Sequence, residues 1–490
     1  MSDVQASATA LPTRLQGLSV YMVGIKGTGM AALAEILVAR GAVVTGSDVS
    51  ERFYTDALLE NAGIRFHEGF AGCNLRDTSP LPDLVVYSAA YDPAAHPELV
   101  EASLLGLPVI RYPDALGALS RLAPSVGIAG VHGKTTTTAL VARIVQELEL
   151  PGTVLAGSAL PDIGGRATLV AGDAFFVAET CEYRRHFLSF SPRAVLITSV
   201  EPDHLDYFSG ALDIEGAFVE YALRLDAGGT LIYCADDPGA SRVAATVRAR
   251  RPDVRHVPYG LTAEGEGAVA ISGRAAGALR ITIGGAPCVL RVPGDHNALN
   301  AAGALAVARL VASWCPEPIS DAEIIAGACR AFAGFHGTRR RSEVVGEAGG
   351  VLVMDDYAHH PTAITTTLAG IRAFYPGRRL VVSFMSHTYS RTVALLDDFA
   401  KALSAADVLV LHDIYASARE ANPGGVTGEA LAVAAARHGA QVHYVPAVLD
   451  AAPLIERVLH AGDLFLTMGA GDNFRLGPII VERLRARVVP

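Results

Sequence analysis

Ten short stretches of this chain, in six groups, combine residue types and spacings that could do chemistry. The first, GVHGKTTTT, brackets a turn with Gly130 and Gly133, encloses Val131 and His132, and continues into Lys134, Thr135 and Thr136. Backbone N–H groups, a helix N-terminus, a lysine cation and a hydroxyl together suit a polyphosphate carrying Mg2+. The stretch misses the common phosphate-loop spacing, because position 128 is Ile where Gly is required. A glycine-rich turn with a chance lysine is the plainer alternative. Against it, only three lysines (Lys26, Lys134 and Lys401) stand among 40 basic residues.

The second stretch, AETCEY, puts Glu179 at the end of an apolar run with Glu182 just beyond. Carboxylates so placed hold Mg2+ directly or through water, or are simply solvated strand ends. The third, VEPDHLDYF, gathers Asp203, His204 and Asp206. Two carboxylates and an imidazole this close point to a metal ligand, with His204 the candidate. In the fourth, GDHNALNAAG, His296, Asn297 and Asn300 recur at helical spacing, with Asp295 as an ordinary N-cap. The fifth set, HGTRRRSE, DDYAHHPT, FMSHTYSRT, IYASARE and GAGD, offers Asp355, His359, His360, His387, Arg391 and Asp472 to one rim. The run Arg339–Arg341 is either a solvated face or a phosphate clamp. The sixth, GIKGTGMAA, has Gly27 and Gly29 in a loose dinucleotide pattern with Asp48 at a ribose-binding distance, which indicates a nucleotide-like ligand.

These residues need scaffolds that end strands beside them. Apolar runs at 18–24, 41–48, 83–89 and 107–113 alternate with helical stretches, as do runs at 126–131, 174–180, 194–200 and 229–237. A small antiparallel patch is expected at 260–293, followed by a helix from His296. A third alternation has strands in GVLVMDD, RRLVVSFM, DVLVLHD, QVHYVP and DLFLTMGAG. The expected fold is α/β in three domains: residues 15–122 Rossmann-like, 123–333 a P-loop ATPase-like mixed sheet, and 334–490 Rossmann-like again. With 490 residues, 51% hydrophobic and 18% charged, the chain is long enough for several cores. A formal charge of −10 argues against a nucleic-acid partner. No apolar run is long enough for a membrane span, and no leader is read at the N-terminus. Six cysteines without Cys-x-x-Cys spacing indicate neither a disulfide framework nor a zinc site, which fits a cytoplasmic protein.

The ordered set GIKGTGM, GVHGKTTTT, VEPDHLDYF, GDHNALNAAGAL, DDYAHHPTAI, SHTYSRT and YASARE resembles the Mur ligase family, the ATP-dependent amide-bond ligases of peptidoglycan precursor synthesis. The family's shortened phosphate loop, Gly-x-x-Gly-Lys-[Thr/Ser], has the form of GVHGKTT. The resemblance, closest to the alanine-adding branch, implies UDP-N-acetylmuramate and L-alanine as substrates, with ATP and Mg2+ as cofactors. It further implies that Gly24, Gly27, Thr28, Gly29, Asp48 and Ser88 line the UDP-sugar. On the ATP side it implies Gly130 to Thr136, with His296, Asn297 and Asn300 near adenine, and Arg340 and Asp355 reaching from the last domain. Mg2+ would fall to Thr135, Glu179 and His204, and L-alanine to Tyr357, His359, His387 and Arg391; Lys134, Glu179, His204, His359 and Arg391 would be catalytic. The chain departs from the usual family residues at Cys181, Ser199, Ser342 and Thr388. The carbamylated lysine of several sister ligases has no counterpart, because no lysine lies between Lys134 and Lys401. Competing expectations are a relative that attaches a recycled peptide to the same sugar nucleotide, a nicotinamide oxidoreductase using the N-terminal glycines, and a silent binding protein.

Overall fold

The computed structural model describes residues 11–204, 207–416 and 425–488. These pack as two compact units. One holds the chain to Glu201 together with Ala211–Gly267 and Ala302–Ala328; the other holds Pro202–Gly210, Ala268–Ala301 and the chain from Cys329.

The first unit contains two sheets. Strands β1 (Ser19–Val23), β2 (Val43–Asp48), β3 (Arg65–Glu68), β4 (Leu84–Tyr87) and β5 (Val109–Arg111) form a parallel sheet ordered β3-β2-β1-β4-β5. Strands β6 (Ser125–Ala129), β7 (Thr153–Leu160), β8 (Arg166–Val170), β9 (Phe176–Glu179), β10 (Ala194–Ile197), β11 (Thr230–Cys234) and β12 (Arg255–Tyr259) form a mixed sheet ordered β12-β11-β10-β6-β9-β7-β8. Only β7 and β8 pair antiparallel in it. The central strands β4, β6 and β10 are buried along their whole length, as continuous apolar runs covered on both faces should be. Helix Thr28–Ala39 is buried from Met30 to Leu37 and packs on both β2 and β7–β8, and its Glu35 pairs with Arg166 of β8 at 2.9 Å. That shared helix is what merges the two sheets into one unit.

The second unit holds an antiparallel sheet of β13 (Val269–Ala275), β14 (Ala278–Ile283) and β15 (Ala286–Leu290), as expected for 260–293. Its main sheet comprises β16 (Glu343–Ala348), β17 (Val351–Asp356), β18 (Leu380–Met385), β19 (Val408–Leu411), β20 (Val442–Tyr444) and β21 (Leu464–Gly469), ordered β16-β17-β21-β18-β19-β20. All neighbours are parallel except β16, which lies antiparallel on β17. Two apolar cores flank this sheet, one around Ile364, Leu368, Phe384, Phe399 and Leu466, the other around Val353, Ile455, Phe465 and Ile480.

Residues 268–301 pack with the last third: Gly277 N–H donates to Phe374 O at 3.0 Å and a Cβ on Gly370 would lie 2.6 Å from Gly294 Cα. The cysteine reading is corrected. Cys288 and Cys329 form a disulfide with their Cα atoms 5.0 Å apart, since pairing depends on spatial approach rather than sequence spacing. No described helix is long and apolar enough to cross a membrane.

Candidate active site

In the first unit, loop 130–133 starts where β6 ends, at the carboxyl edge of a parallel strand. Gly130 has φ +138°, and a Cβ there would stand 2.0 Å from Thr198 Oγ1; Gly133 has φ +83° immediately before helix Lys134–Glu147. Only glycine fits either place. The loop is fixed from β10's extension: Val131 N–H donates to Ser199 O at 3.0 Å and His132 N–H to Ser199 Oγ at 2.8 Å. The Thr198 hydroxyl donates to the His132 carbonyl, and His132 Nε2 pairs with Glu201. The departure at Ser199 thus supplies the hydroxyl that anchors the loop.

Lys134 Nζ donates to the Gly130 carbonyl and stands 2.9 Å from Glu182 Oε2. Burial pulls this lysine toward its neutral form, but the Glu182 carboxylate, with Cys181 and Glu179, more than compensates and raises its pKa. The site therefore holds a cation in place. Glu182 is its counter-ion. The Thr135 hydroxyl donates to Glu179 Oε1 at 3.1 Å, and Gly157 N–H donates to Glu179 Oε2 at 2.7 Å. Thr135 and Glu179 thus converge as hard oxygen donors of the kind Mg2+ takes, and they fit that ion. Thr136 is half-buried in the first helical turn. A cavity of about 150 Å³ lined by Gly29, Tyr112, Leu155, Glu179, Cys181 and Phe187 brings the N-terminal glycine turn to Glu179, and puts the departure Cys181 on its wall.

That glycine turn follows β1. Gly24 N–H and Ile25 N–H both donate to Ser47 O, at 2.9 and 3.1 Å, and Thr28 Oγ1 accepts from Tyr54 Oη–H at 2.9 Å. Gly27 precedes helix Thr28–Ala39, and Ser88 N–H donates to Val23 O at 3.0 Å just past β4. Asp48 is buried, and its carboxylate accepts from Lys26 N–H at 2.6 Å and Val49 N–H at 2.8 Å, so it holds the turn itself. The rare Lys26 pairs internally with Asp56 at 2.9 Å.

In the second unit, the candidates cluster at the carboxyl ends of β17, β18 and β21. Arg340, at φ +60°, donates through Nε to Asp355 Oδ2 at 3.0 Å and through Nη2 to Gly469 O at 2.9 Å, with its guanidinium 4.7 and 4.8 Å from the ring centres of Tyr357 and Phe474. Burial raises the Asp355 pKa against the pull of Arg340. The departure at Ser342 is used locally: its hydroxyl donates to Asp356 Oδ2 at 3.2 Å, beside its N–H at 2.7 Å.

Arg391 Nη2 lies 2.5 Å from Asp203 Oδ1, and Arg391 Nη1 donates to His387 Nδ1 at 3.3 Å. The His387 ring stands 5.9 Å edge-on from His359 and stacks 6.0 Å from Tyr415. Burial would raise the Asp203 pKa, but Arg391, then His204 and His359, hold it well below the usual carboxylate range. His359 Nδ1 faces the Tyr357 carbonyl at 2.8 Å; a carbonyl only accepts, so this nitrogen carries the proton and Nε2 has the lone pair. Burial, reinforced by Arg391, pushes the His359 pKa far down and keeps the ring neutral. His204 has φ +52° and donates its N–H to Asp203 Oδ1 at 2.7 Å.

Asn297 and Asn300 are buried and bonded together at 2.9 Å, at the start of helix His296–Ala312. Asp295 spends its carboxylate on Arg274 rather than on the expected cap alone. Asp472 is exposed and pairs with Arg475 at 3.6 Å. His360 is buried at the N-cap of helix Pro361–Phe374. Asp206 and residues 417–420 of YASARE lie outside the described residues. Sequence reasoning missed a buried network in which Ser383 Oγ lies 2.8 Å from both His412 Nε2 and Asn473 Oδ1. The one signal was His412, a polar residue directly after the apolar run of β19.

A parallel-sheet phosphate loop joined to acidic strand ends defines a nucleotide-dependent ligase scaffold, and the comparisons say which. Residues 19–123 match the Mur ligase family catalytic domain, 128–308 the Mur ligase middle domain and 340–471 the Mur ligase glutamate ligase domain. The chain belongs to the Mur ligase family. It is 48% identical over 98% of its length to a UDP-N-acetylmuramate--L-alanine ligase of Treponema pallidum, covering 99% of that relative. It is 38% identical over 95% of its length to the ligase of the same name from Desulfitobacterium hafniense, covering 99% of it. Among solved structures, a UDP-N-acetylmuramate-alanine ligase from Thermotoga maritima superposes with TM-score 0.74 at 26% identity, over 96% of this chain and 100% of that one.

Proposed function

We propose that this chain joins L-alanine to UDP-N-acetylmuramate at the expense of ATP, in the cytoplasm, as a step of peptidoglycan precursor synthesis. The observation that carries the reading is the full-length match to ligases of that name. The muramoyl carboxylate takes the γ-phosphoryl group of ATP, giving ADP and an acyl phosphate. The alanine amine then attacks the acyl carbon, the C–O bond to phosphate breaks, and inorganic phosphate leaves with that electron pair as the amine sheds a proton.

Two anions must meet for the first step, so cationic charge is the main requirement. Lys134, held charged on the 130–133 loop, takes the phosphates. Mg2+, when bound, would neutralise phosphate charge, and Thr135, Glu179 and His204 are the residues assigned to hold it. Gly24, Gly27, Thr28, Gly29, Asp48 and Ser88 form or support the UDP-sugar side, Asp48 through the turn it fixes. His296, Asn297, Asn300, Arg340 and Asp355 are assigned to ATP. Arg391 is assigned the alanine carboxylate, with Tyr357, His359 and His387 around the amine. The lone pair on His359 Nε2 can take the amine's proton.

The test is phosphate release with ATP, UDP-N-acetylmuramate and each of two acceptors, L-alanine and the recycled tripeptide. Alanine-dependent release is expected; release with the tripeptide but not alanine would replace this reading with peptide attachment, and release with neither would reject it.

A further inference from the structure

Arg391 is the cation assigned to the acceptor's carboxylate, yet it already holds one. Asp203 Oδ1 lies 2.5 Å from Arg391 Nη2, and the two side chains are only 7% and 10% exposed. The same oxygen accepts the His204 N–H at 2.7 Å, while His387 Nδ1 takes a second guanidinium hydrogen at 3.3 Å. A buried pair of this kind is costly to break by removing one partner, because the other charge is left uncompensated. Exchanging one carboxylate for another keeps Arg391 paired, while the displaced Asp203 retains the His204 N–H. Asp203, 188 residues from Arg391 in sequence, is therefore placed where an incoming carboxylate would otherwise sit.

We propose that Asp203 is a resident stand-in for the acceptor's carboxylate: it occupies Arg391 in the empty enzyme, the amino acid displaces it, and an amine lacking a carboxylate cannot. Asp203 then tunes the affinity for the acceptor through Arg391, and the inference rests on the reading that L-alanine is the acceptor. An amine that brings its own carboxylate regains the ion pair it disrupts. A neutral analogue such as L-alaninamide meets an Arg391 that is already satisfied. The apparent acceptor affinity is reduced by the fraction of enzyme in which Asp203 holds the arginine.

The experiment is steady-state phosphate release by the full chain and its Asp203→Asn variant, with ATP and UDP-N-acetylmuramate saturating and either L-alanine or L-alaninamide varied. In the variant, the KM for L-alanine should fall about tenfold. The preference for L-alanine over L-alaninamide should widen by the same factor, because only the carboxylate gains from a vacated arginine. A residue that merely braced the fold would shift both acceptors together. A KM for L-alanine that stays or rises, or an unchanged preference, overturns the inference. Should Asp203→Asn not fold, Asp203→Ser retains an acceptor for the His204 N–H and carries the same expectation. The unmutated enzyme gives an independent reading: propionate should compete with L-alanine and ethylamine should not, and failure of propionate to compete overturns the exchange. Absence of any alanine-dependent release by the unmutated enzyme would instead reject the underlying reading.

Discussion

Each unit of this protein keeps a reactive cation on a resident carboxylate, but the two are held in different ways. In the first, Lys134 is gripped by Glu182 and also by the Gly130 carbonyl of its own loop, four residues away. In the second, Arg391 has Asp203 and a histidine nitrogen, and among the described residues no backbone carbonyl accepts from it. Main-chain anchoring fixes the lysine whatever anion arrives, whereas side-chain anchoring leaves the arginine free to change partners. A phosphate site common to every ATP-using step gains from rigidity, and an acceptor site gains from being selective.

That contrast can be broken most severely at Lys134. Lys134→Ala should lower phosphate release about a thousandfold, measured with all three substrates saturating; a tenfold loss or less would mean the loop alone binds the phosphates. Next is Glu182→Gln, which leaves a buried lysine without its counter-ion. It should destabilise the apoprotein by about 3 kcal/mol, and ATP should restore part of the lost Tm by supplying anionic charge. No recovery with ATP would show that Lys134 does not meet the nucleotide.

The loop carrying Lys134 was legible because its parts are contiguous, and because a lysine is rare in this chain. Its partners were half legible: Glu179 and Glu182 were visible as strand-end acids, but only the fold separates the carboxylate beside Thr135 from the one beside Lys134. The Arg391 cluster was legible as a list of residues and not as an arrangement, since a 188-residue separation carries no local signal. Strand reading failed in the same spirit. β3, four residues with no buried position, and β16, an edge strand with a register shift at Gly346, have too little apolar alternation to announce themselves. β7 carries Gly157, and β8 pairs with it antiparallel at the edge of the sheet, where pairing rather than pattern defines them.

Smaller effects sharpen the second unit. His412 is pushed down to about 4 by burial, and the buried His359 is lowered as well. An unfolded histidine titrates near about 6.5, so below that pH the unfolded chain binds protons that the native state refuses. Stability is full above about pH 6.5 and is lost as pH falls, by up to about 1.4 kcal/mol per pH unit for each histidine. Denaturant titrations at pH 7 and pH 5 should show this slope, and His412→Gln should flatten it; an unchanged slope would assign the effect elsewhere. Last, Thr388 sits at φ +67°, a strained setting for a β-branched residue. Thr388→Gly should raise stability by about 1 kcal/mol, read as Tm; an unchanged or lower Tm would show that no strain is relieved there.

The Ser199 hydroxyl that receives the His132 N–H has a consequence in time as well as in shape. A phosphate loop that orders only around its ligand leaves its amides open to solvent exchange until the ligand arrives. Here the Val131 and His132 amides are already engaged, so their deuterium uptake should be slow in the nucleotide-free protein and change little when ATP is added. The mould for the triphosphate is set before the casting begins.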